Sequence, residues 1–171
     1  YYAINSDIAE QYISNEVLKA HRPVIENVQH LVFTIGYEGA SIESYINKLI
    51  LNNIEILVDV RNNPVSMKNG FSKKQLYTIL RNFNIIYMHL PKLGIPSLLR
   101  KEYLTKKSKD YSGLFDVYKK EILNKASEDL ELLKDIVSSN KRIVLTCFEK
   151  DPEYCHRKII AEKITRHHIN L

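Results

Sequence analysis

The feature that most constrains the fold is an alternation of short apolar runs with segments of helical periodicity. Each run is short and rich in β-branched residues, as in parallel strands that are buried on both faces. The runs lie at residues 31–35, 54–60, 85–89 and 143–148, and helical patterns lie at 42–50, 72–83, 97–104, 114–126, 128–137 and 155–164. This order predicts an α/β fold: one three-layer domain with a four-stranded, mostly parallel, Rossmann-like sheet.

The strand order sets where a ligand would bind. We expect the first three strands to run outward in the order 3-2-1, with the fourth strand beside the first. Ligands bind where the chain reverses direction in such sheets. The prediction is therefore a pocket at the carboxyl ends of strands one, two and four, flanked by the turn at 36–39 and the loop from Glu149 to Arg157.

The length of 171 residues suits a single domain that buries about two thirds of its unfolded surface. Residues 1–30 carry a weakly amphipathic helical pattern and then a connector around Pro23, so we predict an N-terminal helical extension followed by an α/β domain at 31–171. A surface helix of this kind could exchange between two subunits, which leaves a homodimer open.

The amino-acid composition limits the cellular location and the binding partners that we predict. The two cysteines lack the density of a secreted disulfide scaffold, and no apolar run has the length of a membrane span, so we predict a cytoplasmic protein without membrane association. The formal net charge of +5 would tolerate an anionic small molecule or nucleotide. It does not require a nucleic-acid partner.

The segment from Arg142 to Ile164 contains most of the candidate reactive residues. Its pattern predicts a strand, a short acidic loop and a helix, with Cys155, His156 and Arg157 on the first helical turn. Unpaired N–H groups and the positive end of the helix dipole favour anions and the thiolate form of cysteine there. A thiol, an imidazole and a guanidinium thus share one electropositive place.

One interpretation of these residues is a cysteine-centred enzyme. Cys155 would be the nucleophile, Glu149 or His156 would move protons, and Asp59 at the end of strand two would be a further catalytic group. The alternative for Cys155 is an inert packing residue at a helix start. Cys147, inside an apolar run, is predicted to be a core residue.

A second interpretation is that these residues bind an anion and carry out no covalent chemistry. The predicted anion-binding residues lie at the strand ends and the helix start: Gly36, Tyr37, Glu38, Gly39, Arg61, His89 and Arg157. Each has a structural alternative. The glycine segment can be a plain turn, Asp59 and Arg61 can form a mutual ion pair, and His89 can be a hydrogen-bonded structural histidine.

Metal binding is a third possibility. The available ligands are Cys155, His156, Glu149, Asp151 and His89. Structural zinc sites use two ligand pairs at short intervals, and only one Cys-His neighbour pair is present in this sequence. We therefore predict no metal and no cofactor.

Six ordered stretches of the chain resemble the prokaryotic domain-of-unknown-function family 488. They are TIGYEG at 34–39, LVDVRNNPVS at 57–66, Phe71, IIYMHLPKLG at 85–94, LFDVY at 114–118 and CFEKDPEYCHRKIIA at 147–161. The resemblance covers residues 31 to 165. It implies a compact cytoplasmic α/β domain and implies no particular reaction.

LVDVR at 57–61 also looks like the opening strand of rhodanese domains, but the rhodanese loop is absent. The phosphatase pattern is absent too, because Arg157 lies only two residues past Cys155. The sequence therefore predicts an enzyme acting on a phosphate- or carboxylate-bearing substrate. The alternative is a non-catalytic nucleotide or nucleic-acid binding module.

Overall fold

The computed structural model describes residues 31–105 and 109–171, and the predicted N-terminal extension at 1–30 lies outside these ranges. The strands are β1 (Val32–Gly36), β2 (Ile56–Asp59), β3 (Ile86–His89), β4 (Ile143–Cys147) and β5 (Ile169–Asn170). The helices are α1 (Ile42–Leu51), α2 (Lys73–Arg81), α3 (Ser97–Tyr103), α4 (Tyr111–Val117), α5 (Ser127–Ser138) and α6 (His156–Ile164). The α/β fold class is confirmed.

All strand pairs in the sheet are parallel, in the order β3-β2-β4-β1-β5. The predicted order, with strand one beside strand two, is wrong because β4 inserts between β1 and β2. Every residue of β4 is buried, which suits a strand with neighbours on both edges. The register aligns the strand ends, since Gly36 pairs with Cys147 and Asp59 pairs with both Thr146 and His89.

Within the described residues the sheet has five strands where four were predicted. The additional strand β5 is only two residues long and exposed, so no apolar run marks it in the sequence. It pairs with β1 opposite Phe33 and Thr34, and the Thr34 hydroxyl donates to Asn170 Oδ1 at 2.9 Å. This short, exposed strand forms one edge of the sheet.

Helices cover both faces of the sheet and give the predicted three layers. One face packs against α1 and α2 through a core of Phe33, Ile35, Tyr45, Ile46, Leu49, Leu57, Leu76, Leu80 and Val144. The other packs against α5, α6 and the segment 118–126 through Val32, Ile56, Val58, Tyr118, Leu123, Leu133, Ile143, Leu145, Ile159 and Ile160. Alternate residues of β1, β2 and β4 therefore enter opposite cores.

The helix boundaries follow local capping. Ser41 caps α1, because its Oγ accepts from the Ser44 N–H at 3.2 Å. The helix predicted at 114–126 is interrupted: α4 ends at Val117, and a π turn at Tyr118–Ile122 and a 3-10 turn at Leu123–Ala126 follow. These turns place Tyr118, Leu123 and Ala126 in the core.

Within residues 31–105 and 109–171, no helix combines the length and the apolar character that crossing a bilayer requires.

Candidate functional site

A cavity of about 470 Å³ opens at the carboxyl edge of the sheet. Its lining includes Tyr37 after β1, Arg61 to Asn63 after β2, Cys147 and Phe148 at the end of β4, and His156 at the start of α6. The far wall is formed by Val65, Ser66, Met67, Lys68, Ile95, Ser97 and Arg100. The cavity thus lies at the ends of strands one, two and four.

The floor of this cavity belongs to a cluster of two cysteines and one histidine. Cys147 and Cys155 are free thiols, and both Sγ atoms lie 4.0 Å from His156 Nδ1. Cys147 ends β4, whereas Cys155 is the N-cap of α6 and not, as predicted, a residue of its first turn. Cys147, which was predicted to be only a core residue, therefore joins the site.

The orientation of the His156 ring follows from its second nitrogen. Nε2 lies 2.9 Å from the Val60 carbonyl oxygen, which can only accept a hydrogen bond, so Nε2 carries a proton. Nδ1 is the nitrogen that faces the two sulfurs. The ring edge also packs against Tyr118 at 5.5 Å between centroids, which fixes its plane.

The two thiols differ in acidity. The neighbouring Cys155 thiol, together with burial, raises the pKa of Cys147 well above its usual value. Burial also acts to raise the pKa of Cys155, but the neighbouring Cys147 thiol and the charges of His156 and Arg157 outweigh it and lower that pKa well below its usual value. Burial disfavours charge on His156, yet the Cys155 charge raises the net pKa of the imidazole.

Glu149 lies beside this cluster and is held by Arg100. Glu149 Oε2 is 3.3 Å from Cys147 Sγ, and Oε1 forms an ion pair with Nη2 of Arg100. Burial and the neighbouring Cys155 raise the pKa of the Glu149 carboxyl. The site therefore brings together Glu149, His156 and Cys155 as predicted, and it adds an arginine from α3.

Asp59 and Arg61 form an ion pair, which was the structural alternative for these two residues. Asp59 accepts hydrogen bonds from the Arg61 backbone N–H, Nε and Nη2, and from the Tyr87 hydroxyl at 2.7 Å. Arg61 Nη1 donates to the Tyr37 hydroxyl and to the Phe71 carbonyl, each at 2.9 Å. Arg61 reaches the cavity lining, but most of its donors are already used.

Arg157 is buried completely and lies apart from the cavity lining. Its Nη1 donates to the Glu149 carbonyl at 2.6 Å, and its Nη2 donates to the Lys150 carbonyl at 2.9 Å and to Asn170 Oδ1 at 3.2 Å. The side chain therefore holds the loop between β4 and α6 in place. The structure does not place it where an anion in the cavity could bind.

The turn at Gly36–Gly39 approaches the same loop. The N–H groups of Tyr37 and Glu38 donate to the carbonyls of Cys147 and Phe148 at 3.3 and 2.8 Å, and Glu38 Oε2 accepts from the Lys150 N–H. These amide groups are thus engaged within the protein. Gly36, Glu38 and Gly39 line a second cavity of about 660 Å³, together with Lys48 and Lys150, whereas Tyr37 lines the first.

His89 makes two hydrogen-bonding contacts outside the cavity lining. Its Nε2 lies 2.9 Å from the Arg61 carbonyl, and its Nδ1 lies 3.3 Å from Lys73 Nζ. These contacts match the structural alternative given for this histidine.

The charged and thiol groups of the site that were missed in the sequence are Cys147, Lys68 and Arg100. Cys147 could have been found, because it lies at the carboxyl end of the predicted strand, where the pocket was expected, and only two residues before Glu149. Lys68 and Arg100 lie in a loop and a short helix, and neither position carries a recognisable motif. Their place follows only from the path of the chain.

Comparison with known proteins supports the resemblance found in the motifs. The family model described as "Domain of unknown function DUF488" matches residues 41–164, which is more than half of the chain. A search of curated proteins and a search of solved structures each found no match. The chain belongs to the DUF488 family.

Proposed function

We propose that this protein is a cytoplasmic enzyme acting on a small phosphate- or carboxylate-bearing molecule bound in the cavity of about 470 Å³. The observation that carries the proposal is that cationic side chains and the Cys-His cluster face the same cavity. Binding sites combine concave shape, apolar surface and a few placed polar groups with perturbed pKa values, and this cavity has each of these features.

Arg100 and Lys68 are the anion-binding groups. The Arg100 side chain is 41% exposed, and among the described residues its ion pair with Glu149 engages Nη2, which leaves further N–H donors for a ligand. Lys68 Nζ donates to the Tyr37 carbonyl at 3.0 Å and lies 5.4 Å from the Phe71 ring centroid, so its ammonium is held in position before a ligand arrives.

The cavity also selects for an apolar part of the substrate. Val65 and Met67 line its wall and are strongly exposed, and the half-buried Ile95 lies with them in the lining. A ligand that covers these side chains gains apolar burial of about 25 cal/mol per Å². The expected substrate therefore has an anionic group and a short apolar body.

The reactive groups of the Cys-His cluster lie in the wall of the cavity in which we place the anion. Cys147 and His156 belong to the lining, and Cys155, only 1% exposed, lies behind them. A thiolate at Cys155 and the His156 imidazole can share a proton with Cys147 and Glu149, which is the arrangement that nucleophilic or acid-base catalysis uses.

Equilibrium binding of inorganic phosphate and small carboxylates tests the anion site. Arg100→Ala should weaken binding about 10- to 100-fold, because a charge-assisted hydrogen bond contributes about 1.5–3 kcal/mol. The matched control is Arg81→Ala, an exposed arginine at the end of α2 away from the cavity, which should leave affinity unchanged. Equal loss in both variants would contradict the site.

Turnover of a panel of phosphate and carboxylate esters separates the enzyme from the alternative, a non-catalytic nucleotide or nucleic-acid binding module. Cys147→Ser should abolish turnover and keep anion binding. A protein that binds nucleotides or nucleic acid with a steep salt dependence and converts none of the esters would favour the module.

A further inference from the structure

We propose that Cys147, Cys155 and His156 form a binding site for one transition-metal ion, Zn²⁺ by ligand type, with an open coordination position toward the cavity. The three ligand atoms all lie within 4.8 Å of one another, and each residue is at most 5% exposed. The sequence shows one neighbouring Cys-His pair, which argued against metal. The second thiol comes from the end of β4.

The distances suit a tetrahedral ion. Zinc–sulfur bonds of about 2.3 Å and zinc–nitrogen bonds of about 2.0 Å place tetrahedral S and N ligands about 3.6 Å apart. Each Sγ lies 4.0 Å from His156 Nδ1 here. A contraction of a few tenths of an ångström would bring each sulfur–nitrogen pair to that separation, and the two sulfurs already lie within 4.8 Å of each other.

His156 is already oriented as a ligand. Metal-binding histidines usually donate their other ring N–H to a carbonyl or carboxylate, which fixes the tautomer and the ring plane. The Val60 carbonyl accepts from Nε2 at 2.9 Å, so the lone pair of the neutral ring at Nδ1 points toward the two sulfurs. The backbone at the end of β2 thus provides the second-shell partner.

Charge balance favours an ion at this position. Metal binding would release the proton that the Cys147 thiol directs toward Glu149 Oε2 at 3.3 Å, and the two buried thiolates that result would be costly without a counterion. A divalent ion offsets two thiolates and leaves the neutral imidazole uncharged. Thiolate and imidazole ligands select zinc-like ions over Mg²⁺ or Ca²⁺, which prefer oxygen.

The coordination number separates this site from a structural zinc site. Structural sites have four protein ligands, whereas catalytic sites have three and leave one position for water or substrate. Cys147 and His156 both line the cavity that Arg100 and Lys68 also line. The fourth position therefore faces the place where an anionic ligand would bind, a role that rests on the proposed function. With the ion bound, both thiolates and His156 Nδ1 are ligands, so the ion would act on the anion as a Lewis acid in place of a Cys155 nucleophile.

Titration of the metal-stripped, reduced chain with Co²⁺ tests the site without any assay of activity. We expect one Co²⁺ per chain, with sulfur-to-metal charge-transfer absorption and displacement by Zn²⁺. Cys147→Ser and Cys155→Ser should each weaken that absorption and lower affinity by more than the roughly 10- to 100-fold that loss of a second-shell partner causes.

His156→Gln has a matched control in His89→Gln, because His89 also directs Nε2 to a backbone carbonyl at 2.9 Å but lies outside the cluster. His156→Gln should lose Co²⁺ affinity and His89→Gln should keep it. An absent charge-transfer band, a band of unchanged intensity in both cysteine variants, or equal losses in the two histidine variants would overturn the proposal.

A measurement on the wild-type protein tests the site even if a variant does not fold. One equivalent of Zn²⁺ should protect both thiols from alkylation and raise the melting temperature, since a ligand that binds only the folded state stabilises it. Failure to protect either thiol counts against the site. Metal binding and anion binding can fail separately, because Arg100→Ala removes an anion contact and leaves all three metal ligands.

Discussion

Arg61 and Asp59 form a buried ion pair at the end of β2, with Nη2 and Oδ2 2.5 Å apart and side-chain exposures of 6% and 0%. Removing one partner of such a pair leaves an uncompensated buried charge. Arg61→Ala should therefore lower the free energy of unfolding by about 3–5 kcal/mol, measured by urea denaturation.

Lys134→Ala is the matched control for that measurement. The Lys134–Glu131 pair lies on the surface of α5, with side-chain exposures of 44% and 66%. An exposed pair contributes about 0.5 kcal/mol or less. Similar losses in the two variants would show that burial does not set the contribution of the Arg61 pair.

Arg157→Ala should destabilise the protein by roughly 3–5 kcal/mol, because it leaves the Glu149 and Lys150 carbonyls without their buried donors. Arg157→Lys should recover part of this loss, since an ammonium can still reach one carbonyl. Phosphate affinity per folded molecule should not change in either variant, and a selective loss of affinity would return Arg157 to the binding site.

Gly36→Ala and Gly39→Ala should differ sharply in stability. A Cβ at Gly36 would lie 1.7 Å from the Glu149 carbonyl oxygen, so the loop after β4 must move, at a cost of at least about 3 kcal/mol. A Cβ at Gly39 meets no heavy atom within 4 Å among the described residues, and its positive φ of 73° should cost about 1–2 kcal/mol. Thermal denaturation of both variants checks the order.

Alkaline stability should depend on Tyr45. Burial raises the pKa of Tyr45, whose hydroxyl donates to Thr146 Oγ1 at 2.6 Å. Because the pKa is raised in the folded state, its contribution is fully present below the ordinary phenol pKa near ~10 and is lost as pH rises toward the folded pKa. Tyr45→Phe should flatten stability against pH above ~10 by about 1.4 kcal/mol per pH unit.

The measurement for Tyr45 is urea denaturation at several alkaline pH values, with phenolate absorbance followed at the same time. The slope is compared rather than the absolute stability, because Tyr45→Phe also removes a buried hydrogen bond at neutral pH. An unchanged slope would mean that Tyr45 titrates alike in the folded and unfolded states.

The sequence was sufficient for the layers of this fold and for the edge of the sheet that carries the cavity. Apolar periodicity reports which residues are buried, and β1 to β4 each match a predicted run. It does not report which strands are neighbours, because a buried strand has the same pattern beside any partner. Apolar periodicity therefore could not predict the position of β4 between β1 and β2.

The sequence predicted the site residues that lie close together along the chain. It did not predict those that tertiary packing brings together. Cys155, His156 and Glu149 lie within one loop and one helix start, so their proximity follows from the sequence. Arg157 points inward to the loop carbonyls, and Arg100 reaches Glu149 from α3. The orientations of these two arginine side chains depend on tertiary packing, which residue patterns do not encode.

The central position of β4 also has a consequence for biosynthesis. β1 pairs with β4 and β5, and both follow residue 142. Within the described residues, β1 therefore gains its strand neighbours only after synthesis has passed residue 142, and such distant pairings slow folding. Cys147 and Cys155 are made with that same segment. A chain that stops before it should neither close its sheet nor bring the two thiols together.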